Sequence, residues 1–141
     1  MNIERLLRVK QRVKDSPNFD MRCYFYGDIA KGNSGYYIKS AYKARQSNPC
    51  GTSACIAGEA VLLAYEDSLS NLINDDAYLT AKAYLDLTET ETEWLFMGEW
   101  QDGSLVYVTK EDACKAIDWL VGGGSIEDPE DEDGYLKLDL K

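Results

Sequence analysis

Apolar positions along this chain recur at helical spacing in five stretches, separated by shorter alternating or polar runs. Ile3, Leu6, Leu7 and Val13 mark one face of a first helix predicted over residues 3–14, and Arg5, Arg8, Arg12 and Lys14 fill the other. Ser16, Pro17 and Asn18 end it. A second helix should start at Thr52 or Ser53 and run to Tyr65. It is apolar almost all round, which belongs at the centre of a domain, and Glu59 is its lone charge before Tyr65. A third covers residues 76–87, with Ala77, Tyr78, Ala81, Tyr84 and Leu85 on one side. Thr88 with Glu91 forms a capping box for a fourth, which carries Trp94, Leu95 and Phe96 and stops at Gly98. Thr109 with Asp112 caps a fifth, built on Ala113, Ala116, Ile117, Leu120 and Val121 and closed by Gly122, Gly123 and Gly124.

Between these stretches lie strand patterns. Residues 23–26 and 36–38 read as two short strands joined across Gly27, Gly32, Asn33 and Gly35, so a hairpin is expected there. Residues 105–108 read as another strand after the turn at 101–104, and residues 42–48 as a polar, basic loop. The expected fold is mainly α (α+β): a single domain of about five helices with a small antiparallel sheet or hairpin, over residues 1–125. An acidic C-terminal segment follows at 126–141. Leu136, Leu138 and Leu140 alternate there with Lys137 and Asp139, which suits an edge strand or a tail laid on a groove; a frayed end is the simpler expectation.

Charge changes the picture because it is segregated. Residues 1–46 hold ten Lys/Arg against four Asp/Glu, residues 47–125 three against fourteen, and residues 126–141 two against seven. The net charge of −10 argues against nonspecific nucleic-acid binding. The basic third is expected to pair with the chain's own acidic remainder. There is no histidine, which removes the commonest general base, the Ser-His and Cys-His nucleophile pairs and every His-containing metal site. No apolar run reaches the length of a membrane span, and Glu4, Arg5 and Arg8 do not suit a signal peptide. A cytoplasmic location is expected, with the four cysteines as free thiols.

Residues 48–58 carry the only suggestive motif. Cys50 lies just before the second helix and Cys55 one turn inside it; Gly51 permits a sharp turn, and Thr52 or Ser53 can cap the exposed N–H groups. The helix dipole would favour a thiolate at Cys50 or an anion on the N–H groups from Gly51 to Ala54. Three uses of the thiols compete. The favoured one is structural, with Cys55 a small buried apolar group. The second is redox or nucleophilic, although four residues between Cys50 and Cys55 is not the two of a thioredoxin-like site. The third is a metal site from Cys23, Cys50, Cys55 and Cys114, which lack the paired short spacing of zinc centres. Glu59 is expected either to be buried with a partner or to fall on the helix's solvated edge.

The core Cys50-Gly51-Thr52-Ser53-Ala54-Cys55-Ile56-Ala57-Gly58, followed by Leu87-Thr88-Glu89-Thr90-Glu91 and Leu95-Phe96, resembles a family of small uncharacterised bacterial and phage proteins with a Cys-Gly-Thr-x-x-Cys-x-x-Gly core. Many of those relatives place Trp after the last Gly, where this chain has Glu59. The resemblance implies a bacterial or phage accessory protein and carries no activity with it. With no complete catalytic set, the expectation leans away from an enzyme and towards a non-enzymatic protein-binding module. Its support is the tyrosine cluster Tyr24, Tyr26, Tyr36, Tyr37 and Tyr42 and the segregated charge. The alternative is a small-ligand or thiol-dependent site using Cys50, Gly51, Thr52, Ser53, Cys55 and Glu59. No cofactor or metal is expected, and the partner is a protein rather than nucleic acid or membrane.

Overall fold

In a computed structural model of the chain, the described residues are 1–16, 18–21, 25–27, 39, 42–43, 45–46, 52–69, 76–126 and 137–138. Among them the protein is mainly helical. Five α-helices have described bounds: α1 Ile3–Asp15, α2 Ile56–Glu66, α3 Ala77–Leu85, α4 Glu89–Phe96 and α5 Lys110–Val121. Two three-residue strands, β1 Phe25–Gly27 and β2 Thr52–Ala54, pair antiparallel, with Phe25 opposite Ala54.

Local chemistry sets most helix ends. Asn2 caps α1 by accepting the Arg5 N–H, and Asp76 caps α3 by accepting that of Leu79. Both expected capping boxes are present. The Thr88 hydroxyl accepts the Glu91 N–H while the Glu91 carboxylate takes the Thr88 N–H, and Thr109 and Asp112 do the same for α5. Gly122 closes α5, and Gly123 follows at a φ of +96°, which glycine adopts without strain.

The centre is α2. Every residue from Ile56 to Ala64 is buried, because α3, α1 and α4 all pack against it. α1 also lies along α5. The buried stripe of α1 is Leu6, Val9 and Val13, at the i, i+3, i+7 spacing of one helical face. This corrects the expected face: Ile3 and Leu7 point outward, 48% and 43% exposed, and Met1 beside them is 37% exposed.

Several expectations are overturned. The second helix does not start at Thr52 or Ser53. Their backbone is committed to β2, and Cys55 is the cap. The predicted hairpin is not what the described residues show. Residues 22–24 and 36–38 lie outside them, and Phe25–Gly27 pairs with the distant β2 in a contact too short to form a layer of its own. The predicted strand at 105–108 is a 3-10 turn, Leu105–Tyr107, in which the Tyr107 and Val108 N–H groups donate to the Ser104 and Leu105 carbonyls. A strand needs those donors for a neighbour. Tyr42, Lys43, Arg45 and Gln46, expected in a loop, are helical. The simple frayed end does not hold at 137–138: the Leu138 N–H donates to the Trp100 carbonyl at 2.8 Å, and the Lys137 ammonium to that of Glu99 at 2.6 Å.

Among the described residues, part of the segregated charge is paired inside the molecule. Arg8 makes a bidentate pair with Asp67 at 2.7 and 3.1 Å, and the Tyr84 hydroxyl donates to the same carboxylate at 2.7 Å. Arg12 pairs with Glu66, and Lys10 with Asp118 at 2.7 Å. Arg5 lies over the Tyr84 ring and donates to the Tyr84 carbonyl. Arg5, Arg8 and Arg12 thus tie one face of α1 to the end of α2 and to α3, and Lys10, on the opposite side of the helix, ties it to α5.

Candidate functional site

The expected site centred on the start of α2. Cys50 and Gly51 lie outside the described residues, and of Thr52 and Ser53 only the backbone, in β2, is described. Cys55 and Glu59 can be placed in full, and they fall on successive turns of one helix.

Cys55 is 3% exposed and stands in extended backbone immediately before α2. Its sulfur accepts the Gly58 N–H at 3.4 Å, and its carbonyl accepts that of Glu59 at 3.0 Å. The thiol therefore does the work usually given to Ser, Thr, Asp or Asn. A sulfur is a weaker acceptor, but it satisfies a donor at a position where a hydroxyl would add polarity to an apolar core. Cys55 holds no disulfide.

Glu59 is fully buried, so its expected solvated edge is not found. Arg45, itself 9% exposed, reaches it from the helical residues before α2, and one guanidinium nitrogen donates to Glu59 Oε1 at 2.7 Å. The Tyr42 ring packs on the Tyr65 ring of α2 at 4.8 Å, which holds the same segment against the other end of the helix. The second oxygen, Glu59 Oε2, has no hydrogen-bond partner. Burial pushes the Glu59 carboxyl up from its ordinary range; the charge and hydrogen bond of Arg45 and the more distant charge of Arg12 pull it back down. The upward effect wins because leaving water costs a carboxylate more than one singly bonded partner returns.

Arg45 is not among the site residues expected from the sequence, because it lies in the stretch whose polar, basic composition suits a loop. The available signal was the lone carboxylate of an otherwise apolar helix, which demands a cation, and the nearest one upstream is Arg45. Of the four cysteines in the competing metal use, Cys23 and Cys50 lie outside the described residues; among the described residues no three His, Cys, Asp or Glu side chains cluster as metal ligands. Cys55 is the cap before α2, and Cys114 is on α5 with its thiol donating to the Lys10 carbonyl at 3.9 Å.

Searches against protein-family models, curated proteins and solved structures find no match to this chain. The described residues define a helical domain organised around a buried, singly bonded carboxylate–guanidinium pair. None of its described helices is long and apolar enough to cross a membrane.

Proposed function

We propose that the protein is a non-enzymatic binding module, a cytoplasmic accessory factor of the bacterial or phage kind that the Cys50–Gly58 core resembles, acting by occupying a protein surface. The observation that carries this reading is the outward face of α1. Met1, Ile3 and Leu7 are exposed apolar side chains at one end of the helix, and Ile3 and Leu7 stand one turn apart on one side. The arginines of the same helix are held by Asp67, Glu66 and Tyr84, so the face is presented by a helix whose charged contacts are made within the domain. Clustered apolar side chains beside polar ones suit contact with a protein.

The test is a photo-crosslinking residue at position 7, irradiated in cells that make the protein. One discrete adduct is expected, competed away by excess unlabelled chain and not by the Ile3→Lys/Leu7→Lys variant, whose circular dichroism should match the original. An adduct of twice the chain's mass would identify the partner as a second copy. No adduct, or one competed equally by both chains, overturns the reading.

A second reading, a small-ligand or thiol-dependent site at residues 50–59, is favoured by one observation, the unpartnered Glu59 Oε2. A donor group on a ligand would satisfy it. Alkylation of the folded protein across pH, mapped by peptide, tests the thiol version. A Cys50 that reacts as an ordinary thiol of pKa about 8.5, or not at all, removes it.

A further inference from the structure

The seam between α1 and α5 opens to a groove of about 290 Å³. Lys10 and Lys14, one turn apart, form one wall. Lys110, Glu111, Cys114, Lys115 and Asp118 form the other, at the spacing of a single helical face. Four lysines and two carboxylates thus meet in a protein whose net charge is −10. Two of the ammonium groups have partners within the domain. Lys10 bonds Asp118 at 2.7 Å, and Lys110 donates to the Ser16 carbonyl at 3.2 Å, beside a Ser16 hydroxyl that is buried and without a partner. Cys114 is half-buried in the groove.

We propose that this groove binds a small, multiply charged oxyanion of diphosphate size, a proposal that stands independently of the partner surface on α1. Size and lining select the class. The volume matches roughly ten waters at about 30 Å³ each, just under the ordinary range for ligand pockets. Among the described residues no aromatic ring lines it to stack a base, and lysines bind phosphate groups as mobile point charges. Charge range selects small over large. Beyond about 8 Å at physiological salt the acidic remainder is screened, so a compact anion responds mainly to the lining itself, where four lysines outnumber the carboxylates of Glu111 and Asp118. An extended polyanion would also lie over acidic surface. Asp118 is the internal competitor, because it holds the Lys10 ammonium until an anion takes it.

The probe is inorganic pyrophosphate, titrated into the ¹⁵N-labelled full chain at constant ionic strength, with a sugar bisphosphate in parallel to separate a free from an organic phosphate source. Saturable shifts confined to residues 10–16 and 110–118 are expected. Lys14→Gln and Lys115→Gln should each weaken binding by about fivefold, and Asp118→Asn should tighten it by a similar factor by releasing Lys10. Saturating pyrophosphate should also slow alkylation of Cys114, mapped by peptide, and leave Cys55 unchanged. Circular dichroism on all three variants checks the fold. Shifts that are scattered or unsaturable, affinity unmoved by the three substitutions, or Cys114 labelling indifferent to pyrophosphate would each mean an adventitious ion only, and would overturn the proposal.

Discussion

Replacing Arg45 by Met removes the cation that holds Glu59 and leaves a fully buried carboxylate with neither oxygen bonded by it. Breaking a buried pair from one side costs about 3–5 kcal/mol, since the surviving charge keeps its desolvation penalty without its attraction. Glu59 can escape that penalty by taking up a proton, which makes the cost depend on pH. The folded carboxyl is already raised by burial, and loss of Arg45 raises it further. A folded pKa above the unfolded one means the folded state binds the extra proton, so this group's contribution is fully present below the unfolded pKa and is lost as pH rises through the folded one. The destabilisation by Arg45→Met should therefore be largest at pH 7.5 and shrink as pH falls. The limit is about 1.4 kcal/mol per pH unit, or close to 2.7 kcal/mol between pH 7.5 and 5.5. Urea unfolding followed by fluorescence of the buried Trp94 and Trp100 measures it. The double variant Arg45→Met/Glu59→Leu removes both charges and should recover most of the loss at pH 7.5. It also controls for the other contacts of Arg45, which both variants lose. A penalty below about 1 kcal/mol, or one constant from pH 7.5 to 5.5, refutes the buried-pair reasoning.

Other outcomes follow from local geometry. Thr88→Ala and Thr109→Ala should each cost about 1 kcal/mol, additively, by urea titration, because each removes half of a capping box on a different helix. Gly124→Ala places a methyl 2.2 Å from the Trp119 ring, which packs on Trp94 at 5.3 Å, so about 1–3 kcal/mol of overpacking should appear with an altered near-ultraviolet circular dichroism spectrum. Asp67→Asn weakens the bonds to Arg8 and Tyr84 and should cost about 1 kcal/mol at neutral pH, a modest figure because the pair is partly solvated. The Arg8 bond holds the Asp67 carboxyl below its ordinary range, so its contribution is present above the unfolded pKa and is lost as pH falls through the folded one; the two proteins should converge in acid. Burial and the same carboxylate push the Tyr84 hydroxyl up to about 12, and in Asp67→Asn spectrophotometric titration should find it ionising at lower pH than in the original chain.

The features legible in the sequence were those whose causes lie within one helical turn. A Thr three residues before a carboxylate marked the starts of α4 and α5, and three glycines marked the end of α5. The apolar run of residues 56–64 identified the central helix because no charge-free face is needed unless several neighbours cover it. Where two elements compete for the same local pattern, periodicity chose wrongly. Leu105 to Val108 has the composition of a strand, yet among the described residues no strand takes its donors and it closes as a turn on itself. Thr52 and Ser53 are better caps than Cys55 by propensity, but pairing with β1 holds them extended and moves the helix start to the next polarisable side chain.

By itself, then, the sequence determined that the chain would be helical, roughly where its helices begin and end, that a histidine-based centre was excluded, and that Glu59 would need either a partner or a solvated edge. Tertiary structure alone decided which cation. Arg45 meets Glu59, Asp67 gathers Arg8 and Tyr84, and the lysines of α1 come to face those of α5 from a hundred residues away. Packing also chose which apolar residues of α1 face outward, since Leu6, Val9 and Val13 cover the core and leave Ile3 and Leu7 in solvent. The division has one physical origin. Caps and periodicity are energies between neighbours in the chain, whereas charge pairing and burial are energies between neighbours in space.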